Sequence, residues 1–329
     1  MASYEIRPYR PGDEHAILET FNAVFGEGKE DFEPRTLEEW RWGFERNPAG
    51  NRIFVAMQGD VCAAQCAALP FRVTFRGKPA TITQGVDAMV HPEHRRGLRR
   101  PGLYVATARP FFATFRGPGR DVLHYGWPVE PAWRIGKTFL NYEIVRTQTV
   151  LFAKPPEADQ RMPDRVEEIA RFDDDVTALY GRCAKDWGLS VVRDPAYLNW
   201  RFFDHPRFCY RVLGLRHPSG ELRAYAIFRC ADFPHPNCGL VIDWLVEPND
   251  IEAGELLHEA LRVQARRDGA ESMLAVFPDW SPWFDRFQIW SWDVFGSDYL
   301  LIGIIQDPHY DTWWLRKHWW YQLAELDTV

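Results

Sequence analysis

The sequence contains little lysine, little cysteine and no long apolar run, and each shortage argues against a class of protein. Only 6 of the 39 basic residues are lysine, and a formal net charge of −7 is unlike that of a general nucleic-acid-binding protein. The 6 cysteines are too sparse for the disulfide framework of a small secreted domain, which favours a reducing cytoplasm. No apolar stretch is long enough to cross a bilayer, and the charged N-terminal segment is not a signal peptide. We therefore expect a cytoplasmic protein that binds neither nucleic acid nor membranes.

The chain is instead rich in tryptophan, which is distributed unevenly. A length of 329 residues suffices for two domains, and the proline-rich, charged segment 154–164 is typical of a linker between residues 1–153 and residues 165–329. Up to residue 164 there are 22 basic and 20 acidic side chains, whereas the remainder has 17 and 26 and holds 11 of the 15 tryptophans. The two parts are therefore chemically different.

The predicted elements follow a similar order in both parts: a helix, strands, a helix, a strand, a short helix and a strand. This order indicates an α/β (α+β) fold and an old structural duplication. Pro110 is expected to kink or divide the helix that it lies in. The elements that matter below are the helices Glu14–Phe25, Pro101–Phe115 and Ile251–Arg267, the hairpin of Phe71–Phe75 with Ala80–Gln84, and the strands Gly85–Val90, Asp121–Trp127 and Tyr299–Ile305.

One segment combines the end of a strand, a basic turn and the start of a helix. The turn after Val90 holds four arginines and two glycines, and Pro101 suits the first turn of a helix. The unpaired N–H groups of a helix N-terminus, arginine side chains and a backbone that can approach closely together suit a pyrophosphate. The structural alternative is a solvated basic turn that caps a helix.

The residues Val90, Pro92, Glu93, Arg95 and Gly97, placed between a strand and a helix, resemble the acyl-CoA-binding motif of the GNAT superfamily of N-acyltransferases. The segments Tyr125–Pro128 and Asp194–Arg201 resemble a branch of the superfamily with two such domains, similar to sugar N-acyltransferases. The turn departs from the family pattern because it is one residue short. Counted from Arg95, the position of the family's glycine falls on Leu98.

The resemblance implies two GNAT-like domains in tandem, each a mixed, mostly antiparallel sheet flanked by helices. Residues 1–153 would bind acyl-CoA in a cleft between splayed strands. Residues 165–329 would be a degenerate GNAT-like domain that helps to shape an acceptor site between the halves, and their acidic segment 246–250 would repel phosphate. The implied cofactor-binding residues are Met89 and Val90 for the pantetheine, and Arg95, Arg96, Gly97, Leu98, Arg99, Arg100 and Gly102 for the pyrophosphate.

The resemblance also implies direct transfer of an acyl group from acyl-CoA to an amine, without a covalent enzyme intermediate. The thioester would lie near Asp87, His124 and Tyr125, with Asp87 or His124 as the base and Tyr125 or Tyr142 as the acid that protonates the thiolate. Each residue has a structural alternative. For Asp87 the alternative is a carboxylate at a strand end that pairs with an arginine. For His124 it is a hydrogen-bonded histidine in the core.

The predicted acceptor is a primary amine of a small molecule, with an amino sugar or sugar nucleotide as the first candidate. Trp127, Trp200 and Trp313 are the candidate substrate-binding rings, although a core rich in aromatic residues would also account for the tryptophans. No metal is expected, because Cys230, His235 and Cys238 lack a second pair of ligands. The alternative function is a non-catalytic GNAT-fold protein that binds a partner through its tryptophan-rich second part. We expect a monomer or a homodimer.

Overall fold

The computed structural model describes residues 3–95, 101–117 and 120–326 of the chain. They fold into two units, and neither unit is one continuous stretch of sequence. The first unit consists of Met1–Arg72, Ala80–Val145 and Leu300–Thr312, and the second of Val73–Pro79, Arg146–Tyr299 and Trp313–Val329. Each unit has thus taken up a short segment from the other half of the sequence.

The first half of the chain alternates strands and helices around a sheet. Its elements are β1 (Glu5–Pro8), α1 (Glu14–Phe25), α2 (Leu37–Phe44), β2 (Arg52–Gln58), β3 (Val61–Phe75), β4 (Lys78–Val90), α3 (Leu103–Phe115), β5 (Asp121–Gly126), α4 (Glu130–Phe139) and β6 (Glu143–Ala153). β1, β2 and β3 are antiparallel neighbours, β4 lies beside β3, and β5 runs parallel to β4. Val105, Ala108 and Phe111 of α3 pack on Phe54 and Ala68 of the sheet to form a buried core.

The second half of the chain follows the same plan. Its elements are β7 (Val166–Glu168), α5 (Asp175–Cys183), β8 (Leu189–Val191), α6 (Pro195–Leu198), β9 (Arg211–Arg216), β10 (Leu222–Ala231), β11 (Cys238–Leu245), α7 (Ile251–Arg267), β12 (Ser272–Ala275), α8 (Pro282–Ile289), β13 (Asp293–Ile305) and α9 (Thr312–His318). β7, β9, β10 and β11 are antiparallel neighbours, and β12 runs parallel to β11.

The sheet of each unit continues into a strand from the other half of the sequence. In the first unit β13 pairs antiparallel with β5, from Ile302↔Gly126 to Ile305↔Leu123. In the second unit β6 pairs antiparallel with β12, from Met273↔Ala153 to Ala275↔Leu151. The order of strand pairings is therefore the same in both units. Antiparallel strands come first, one parallel pair follows, and the last strand is again antiparallel to its neighbour. The prediction of mixed sheets flanked by helices is confirmed, whereas the functional division at 154–164 stays a prediction.

Some elements are longer than the sequence indicated. β3 continues through Pro70, and β4 includes both of the strands predicted between Ala80 and Val90. The turn between β3 and β4 has positive φ at both Arg76 (50°) and Gly77 (72°), which matches the twist of a two-residue hairpin. Helix α3 is not divided at Pro110. Its buried face on either side of the proline packs on the sheet, and tertiary packing outweighs the local cost of proline.

A buried cluster of charges lies in the second unit. The Arg193 side chain is fully buried, and its NH2 atom lies 2.9 Å from Asp243 Oδ1 and 2.5 Å from Glu325 Oε1. Tyr225 donates a hydrogen bond of 2.7 Å to Asp243 Oδ2, and Arg193 NH1 donates one of 2.9 Å to the Val191 carbonyl. One guanidinium thus serves two buried carboxylates. Burial raises the pKa of Glu325 to about 7, assisted by repulsion from Asp243 and opposed by Arg193.

The first prediction concerns the cation of this cluster. Arg193→Met should lower the free energy of unfolding by about 3–5 kcal/mol, because two buried carboxylates would lose the positive charge that they share. Urea denaturation followed by circular dichroism measures the change. The control is Arg171→Met, because Arg171 pairs with Asp204 at the surface. It should cost no more than about 1 kcal/mol. Equal stability of Arg193→Met and the wild type would show that the cluster does not stabilise the fold.

The second prediction concerns the pH dependence of stability. The pKa of Glu325 is raised from 4.5 to about 7 in the folded state, so folding favours its protonated form. The stabilisation is complete below pH 4.5 and is lost as the pH rises to about 7, and it amounts to about 3 kcal/mol. Glu325→Gln should remove this part of the pH dependence, as measured by urea denaturation between pH 4.5 and 8. A variant with the wild-type pH profile would contradict the assignment.

Candidate functional site

The parallel pair in the first unit separates partway along its length. β4 and β5 are in register from Thr81↔Asp121 to Gln84↔Tyr125, and β5 ends one residue later at Gly126. β4 continues to Val90, and among the described residues of β5 none pairs with this last part. An open strand edge of this kind presents unpaired N–H and C=O groups to a ligand. The predicted site residues of both strands lie at or beyond the separation.

Asp87 lies on this open part of β4 and has an unusual backbone. Its φ is +51°, in the left-handed region that residues other than glycine rarely adopt. Its carboxylate is only 5% exposed and lies 2.5 Å from Arg35 NH1, and Gln65 donates a hydrogen bond of 3.3 Å to its carbonyl. The Arg35 guanidinium also lies 3.6 Å from the centre of the Phe21 ring. These contacts hold the strained backbone and fix the Asp87 carboxyl group at the separation of the strands.

His124, on β5, is buried beside the same point. Its Nδ1 lies 3.0 Å from Thr83 Oγ1, and its ring packs against Phe111 and Phe112. Burial lowers its pKa to about 3, so the imidazole is neutral in the physiological range. A Cβ on Gly85 would lie 2.7 Å from His124 Nε2, so the absence of a side chain at residue 85 lets the ring lie against β4. Asp87 and His124 both have the contacts that their structural alternatives anticipate, and their catalytic roles stay predictions.

The two tyrosines predicted as the acid both lie in the first unit. Tyr125 is 1% exposed and is the last residue of β5 in register with β4. Tyr142 follows α4, and desolvation raises its pKa above the usual value. Tyr142 also shares hydrogen bonding with Tyr104, which in turn contacts the Cys66 thiol. The raised pKa keeps the Tyr142 phenol protonated at neutral pH, as an acid for a thiolate requires.

The predicted cofactor residues are only partly visible. Met89 is buried, and Val90 is half-buried at the end of β4. The His91 N–H donates to the Ala63 carbonyl on β3, so strand alternation directs the N–H and C=O of Val90 away from β3. The Val90 carbonyl accepts a hydrogen bond of 3.0 Å from Arg95 Nε. Arg95 also pairs with Glu27. The positions Arg96, Gly97, Leu98, Arg99 and Arg100 lie outside the described residues.

Helix α3 follows this turn, and its N-terminus is open. Gly102 is the N-cap, with a φ of −60°, and among the described residues no side chain caps the helix there. The first N–H groups of an α-helix have no partner within the helix and favour an anion. Gly102 is therefore placed where the sequence predicts the pyrophosphate, although its backbone is not left-handed.

The three tryptophans predicted to contact the acceptor have different surroundings. Trp127 is partly buried just after β5 in the first unit. In the second unit, Trp200 is 5% exposed and packs near Tyr197, whereas Trp313 is 65% exposed with the Arg316 guanidinium 4.8 Å from its ring centre. Substrate contact by these rings stays a prediction.

Several contacts at this site were not predicted. Arg35, Gln65 and Thr83 hold the two candidate residues, yet no local pattern in the sequence marks them. Across the described ranges, no group of three or more His, Cys, Asp or Glu side chains is placed to bind a metal ion. No helix in the part of the chain that the structure describes is long and apolar enough to cross a membrane.

Comparisons with known proteins agree with the geometry of the first unit. The profile of the family described as an acetyltransferase (GNAT) domain matches residues 5–131. No curated protein matches the chain in sequence.

Solved structures share the fold over most of the chain. A conserved protein of unknown function from Enterococcus faecalis V583, described as a "Probable N-Acyltransferase", has a TM-score of 0.63 at 16% identity, covering 92% of this chain and 73% of its own. Saccharomyces cerevisiae N-myristoyltransferase with bound myristoyl-CoA has a TM-score of 0.59 at 12% identity, covering 92% and 82%. A GCN5-related N-acetyltransferase from Anabaena variabilis ATCC 29413 has a TM-score of 0.59 at 10% identity, covering 93% and 73%.

At these identities the structural matches establish the fold, and the family match supplies the class of activity. The predicted class of enzyme, a CoA-dependent acyltransferase, is confirmed at this level. Residues 5–131 of the chain are therefore similar to the family described as an acetyltransferase (GNAT) domain.

Proposed function

We propose that this protein transfers an acetyl or other short acyl group from acyl-CoA to a primary amine of a small molecule. The observation that carries the proposal is the separation of β4 from β5 after Gln84↔Tyr125, which leaves an open strand edge beside the start of α3. An elongated ligand that carries both amide groups and phosphates fits this combination, because the edge offers backbone hydrogen bonds and the helix offers N–H groups.

The pantetheine arm is proposed to lie along the open edge of β4. Val90 directs its N–H and C=O to this edge, and the carbonyl is occupied by Arg95 Nε in the protein alone. A ligand amide can bond this carbonyl beside Arg95 Nε or in its place, because a carbonyl oxygen accepts two hydrogen bonds. The pyrophosphate is proposed to contact residues 95–100 and the start of α3, where no described side chain caps the helix and where the Arg95 guanidinium can contact it.

Direct transfer needs a group that accepts a proton from the amine and one that gives a proton to the thiolate. We assign the first role to Asp87, whose carboxylate is held at the separation of the strands by Arg35. The deprotonated amine forms a bond with the thioester carbon, the carbon–sulfur bond breaks, and Tyr125 protonates the sulfur. A histidine with a pKa of about 3 is a weak base, so we propose that His124 acts by holding the open ends of the strands in place.

The acceptor is proposed to be an amino sugar or a sugar nucleotide. Support comes from the excess of acidic side chains after residue 164 and from the exposed ring of Trp313, since a cationic amine favours negative potential and a sugar face packs on an aromatic ring. We further propose that the second unit is a degenerate copy of the first, because the order of its elements and the types of strand pairing are the same.

The third prediction tests the open edge. Val90→Pro removes an N–H group that pantetheine would use, and proline is tolerated on an open strand edge. It should weaken acetyl-CoA binding at least about tenfold, as measured by isothermal titration calorimetry. The matched control is Val90→Ala, which keeps the N–H and should bind within about threefold of the wild type. If acetyl-CoA at saturating concentration neither binds nor raises the melting temperature of the wild type, the proposed function is wrong.

The fourth prediction tests the proton acceptor. Asp87→Asn should lower kcat about 100-fold or more while leaving the Kd for acetyl-CoA unchanged, because the amide cannot accept the amine proton. Thiol release is measured with a panel of amino sugars, sugar nucleotides and polyamines. The control is Asp13→Asn, since Asp13 is also paired with an arginine, Arg7, at 2.6 Å. Full activity of Asp87→Asn would exclude this role, and acetyl-CoA binding without thiol release from any amine would favour a non-catalytic protein.

A further inference from the structure

A second site lies in the second unit, in a cavity that the acyl transfer does not use. The cavity has a volume of about 610 Å³, within the range of small-molecule sites. It lies between the segment that precedes β9 and the end of β10. Three arginines, two aromatic rings and one carboxylate account for its chemistry: Arg207, Arg211, Arg229, Phe208, Tyr210 and Asp268.

The central cation of this cavity is Arg229. Its guanidinium carbon lies 3.6 Å from the centre of the Phe208 ring, and Tyr210 contributes a hydrogen bond. The NH1 atom is buried and makes no hydrogen bond to the described residues, and no carboxylate among them forms an ion pair with this side chain. Burial lowers the pKa of Arg229 from its ordinary value, because it removes water from around the charge. A buried donor without a partner costs free energy unless a ligand satisfies it.

The surroundings of Arg229 add to the positive potential. The His205 ring stacks on Phe208 with 4.6 Å between ring centres. The pKa of His205 is lowered to about 3, first by burial and then by the charges of Arg201, Arg229 and Arg207. The imidazole therefore stays neutral and accepts hydrogen bonds from the N–H groups of residues 207 and 208, at 3.1 and 3.0 Å. Burial has the largest effect on this pKa, and the three arginines that add to it place positive charge around the ring.

The carboxylates around the cavity do not neutralise it. Arg211 pairs with Glu168 at 3.1 Å, but both side chains are more than half exposed, so solvent weakens this pair. Asp268 lines the cavity and accepts a hydrogen bond of 2.8 Å from Gln264. One carboxylate in the lining therefore faces three guanidinium groups.

In the first unit, the proposed cofactor edge lies at the C-terminal end of β4. The cavity in the second unit lies at the opposite end of the corresponding strand, β11. Arg229 pairs with Leu240 and Cys230 with Gly239, which are at the start of β11. The end of β11, where the parallel pair with β12 would have to open for a cofactor, lies at Leu245. The cavity is thus a separate site and not a remnant of the cofactor cleft in the second unit.

We propose that this cavity binds a small organic anion through a phosphate or carboxylate group. The oxyanion contacts Arg229, with Arg207 and Arg211 at the rim, and the apolar part of the ligand packs on Phe208 and Tyr210. A planar guanidinium bonds two oxygens of such a group at once. The site acts independently of the proposed acyl transfer.

Cys209 provides a readout that does not depend on activity, because this cysteine is exposed and also lines the cavity. The test follows its alkylation by iodoacetamide, measured by mass spectrometry, in the presence of phenyl phosphate, benzoate or benzyl alcohol. We expect phenyl phosphate, benzoate or both to slow alkylation several-fold in the wild type, and benzyl alcohol to have no effect. Protection by one anion alone identifies the group that is bound. Protection by benzyl alcohol equal to that by the anions, or no protection by either anion, would overturn the proposal.

Variants assign the effect to Arg229. Arg229→Gln should weaken the protecting anion at least about tenfold, Arg229→Lys should retain part of the binding, and Asp268→Asn should strengthen it. The control is Arg171→Gln, a change of an exposed arginine in the same unit outside the cavity. Circular dichroism checks the folding of each variant. If Arg229→Gln does not fold, Arg229→Lys and Asp268→Asn decide, and wild-type affinity in both would refute the assignment.

Discussion

The site proposed on β4 in the first unit depends on the left-handed backbone at Asp87. A residue other than glycine with a φ of +51° carries about 1–3 kcal/mol of strain, which persists only where neighbouring contacts hold it. Here the Arg35 ion pair and the hydrogen bond from Gln65 supply those contacts. The conformation occurs three residues after the last registered pair with β5, on the part of β4 that leaves its partner. The strain, the charge and the open edge therefore occur together, and the proposed chemistry depends on all three.

Arginine has a second use in this chain, which explains its excess over lysine. Arg193 serves two buried carboxylates in the second unit, and Arg223 pairs with both Asp250 and Glu252. A planar guanidinium with five donors can bond several oxygens in fixed directions, which an ammonium group cannot do. Arg229 differs from these residues because it faces a cavity without an ion-pair partner among the described residues. This contrast with Arg193 and Arg223 is why we assign Arg229 to a ligand and not to the stability of the fold.

Local features were predictable from the sequence, and long-range ones were not. The bounds of α1 (Glu14–Phe25) and α7 (Ile251–Arg267) agree with the prediction. Helical periodicity and capping depend on residues that are close together in the sequence, so they can be read from it. The pairing of β13 with β5 had no such signal, since an apolar strand has the same pattern beside any partner. Arg35 lies 52 positions before Asp87, and only the fold brings the two together. The sequence left open whether His124 is a buried core histidine or a base, and the structure shows the burial that lowers its pKa.

In each unit a helix follows the first strand of the parallel pair, and the N-termini of these two helices, α3 and α7, differ. In the second unit, Asp250 is the N-cap of α7, and its carboxylate accepts a hydrogen bond of 3.2 Å from the N–H of Ala253. An anionic side chain thus already occupies the position that a phosphate would need, and Arg223 holds it there. In the first unit, α3 starts at Gly102, and no described side chain caps it. This difference in the described residues supports our proposal that a phosphate-bearing cofactor binds at the helix start of the first unit and not at that of the second.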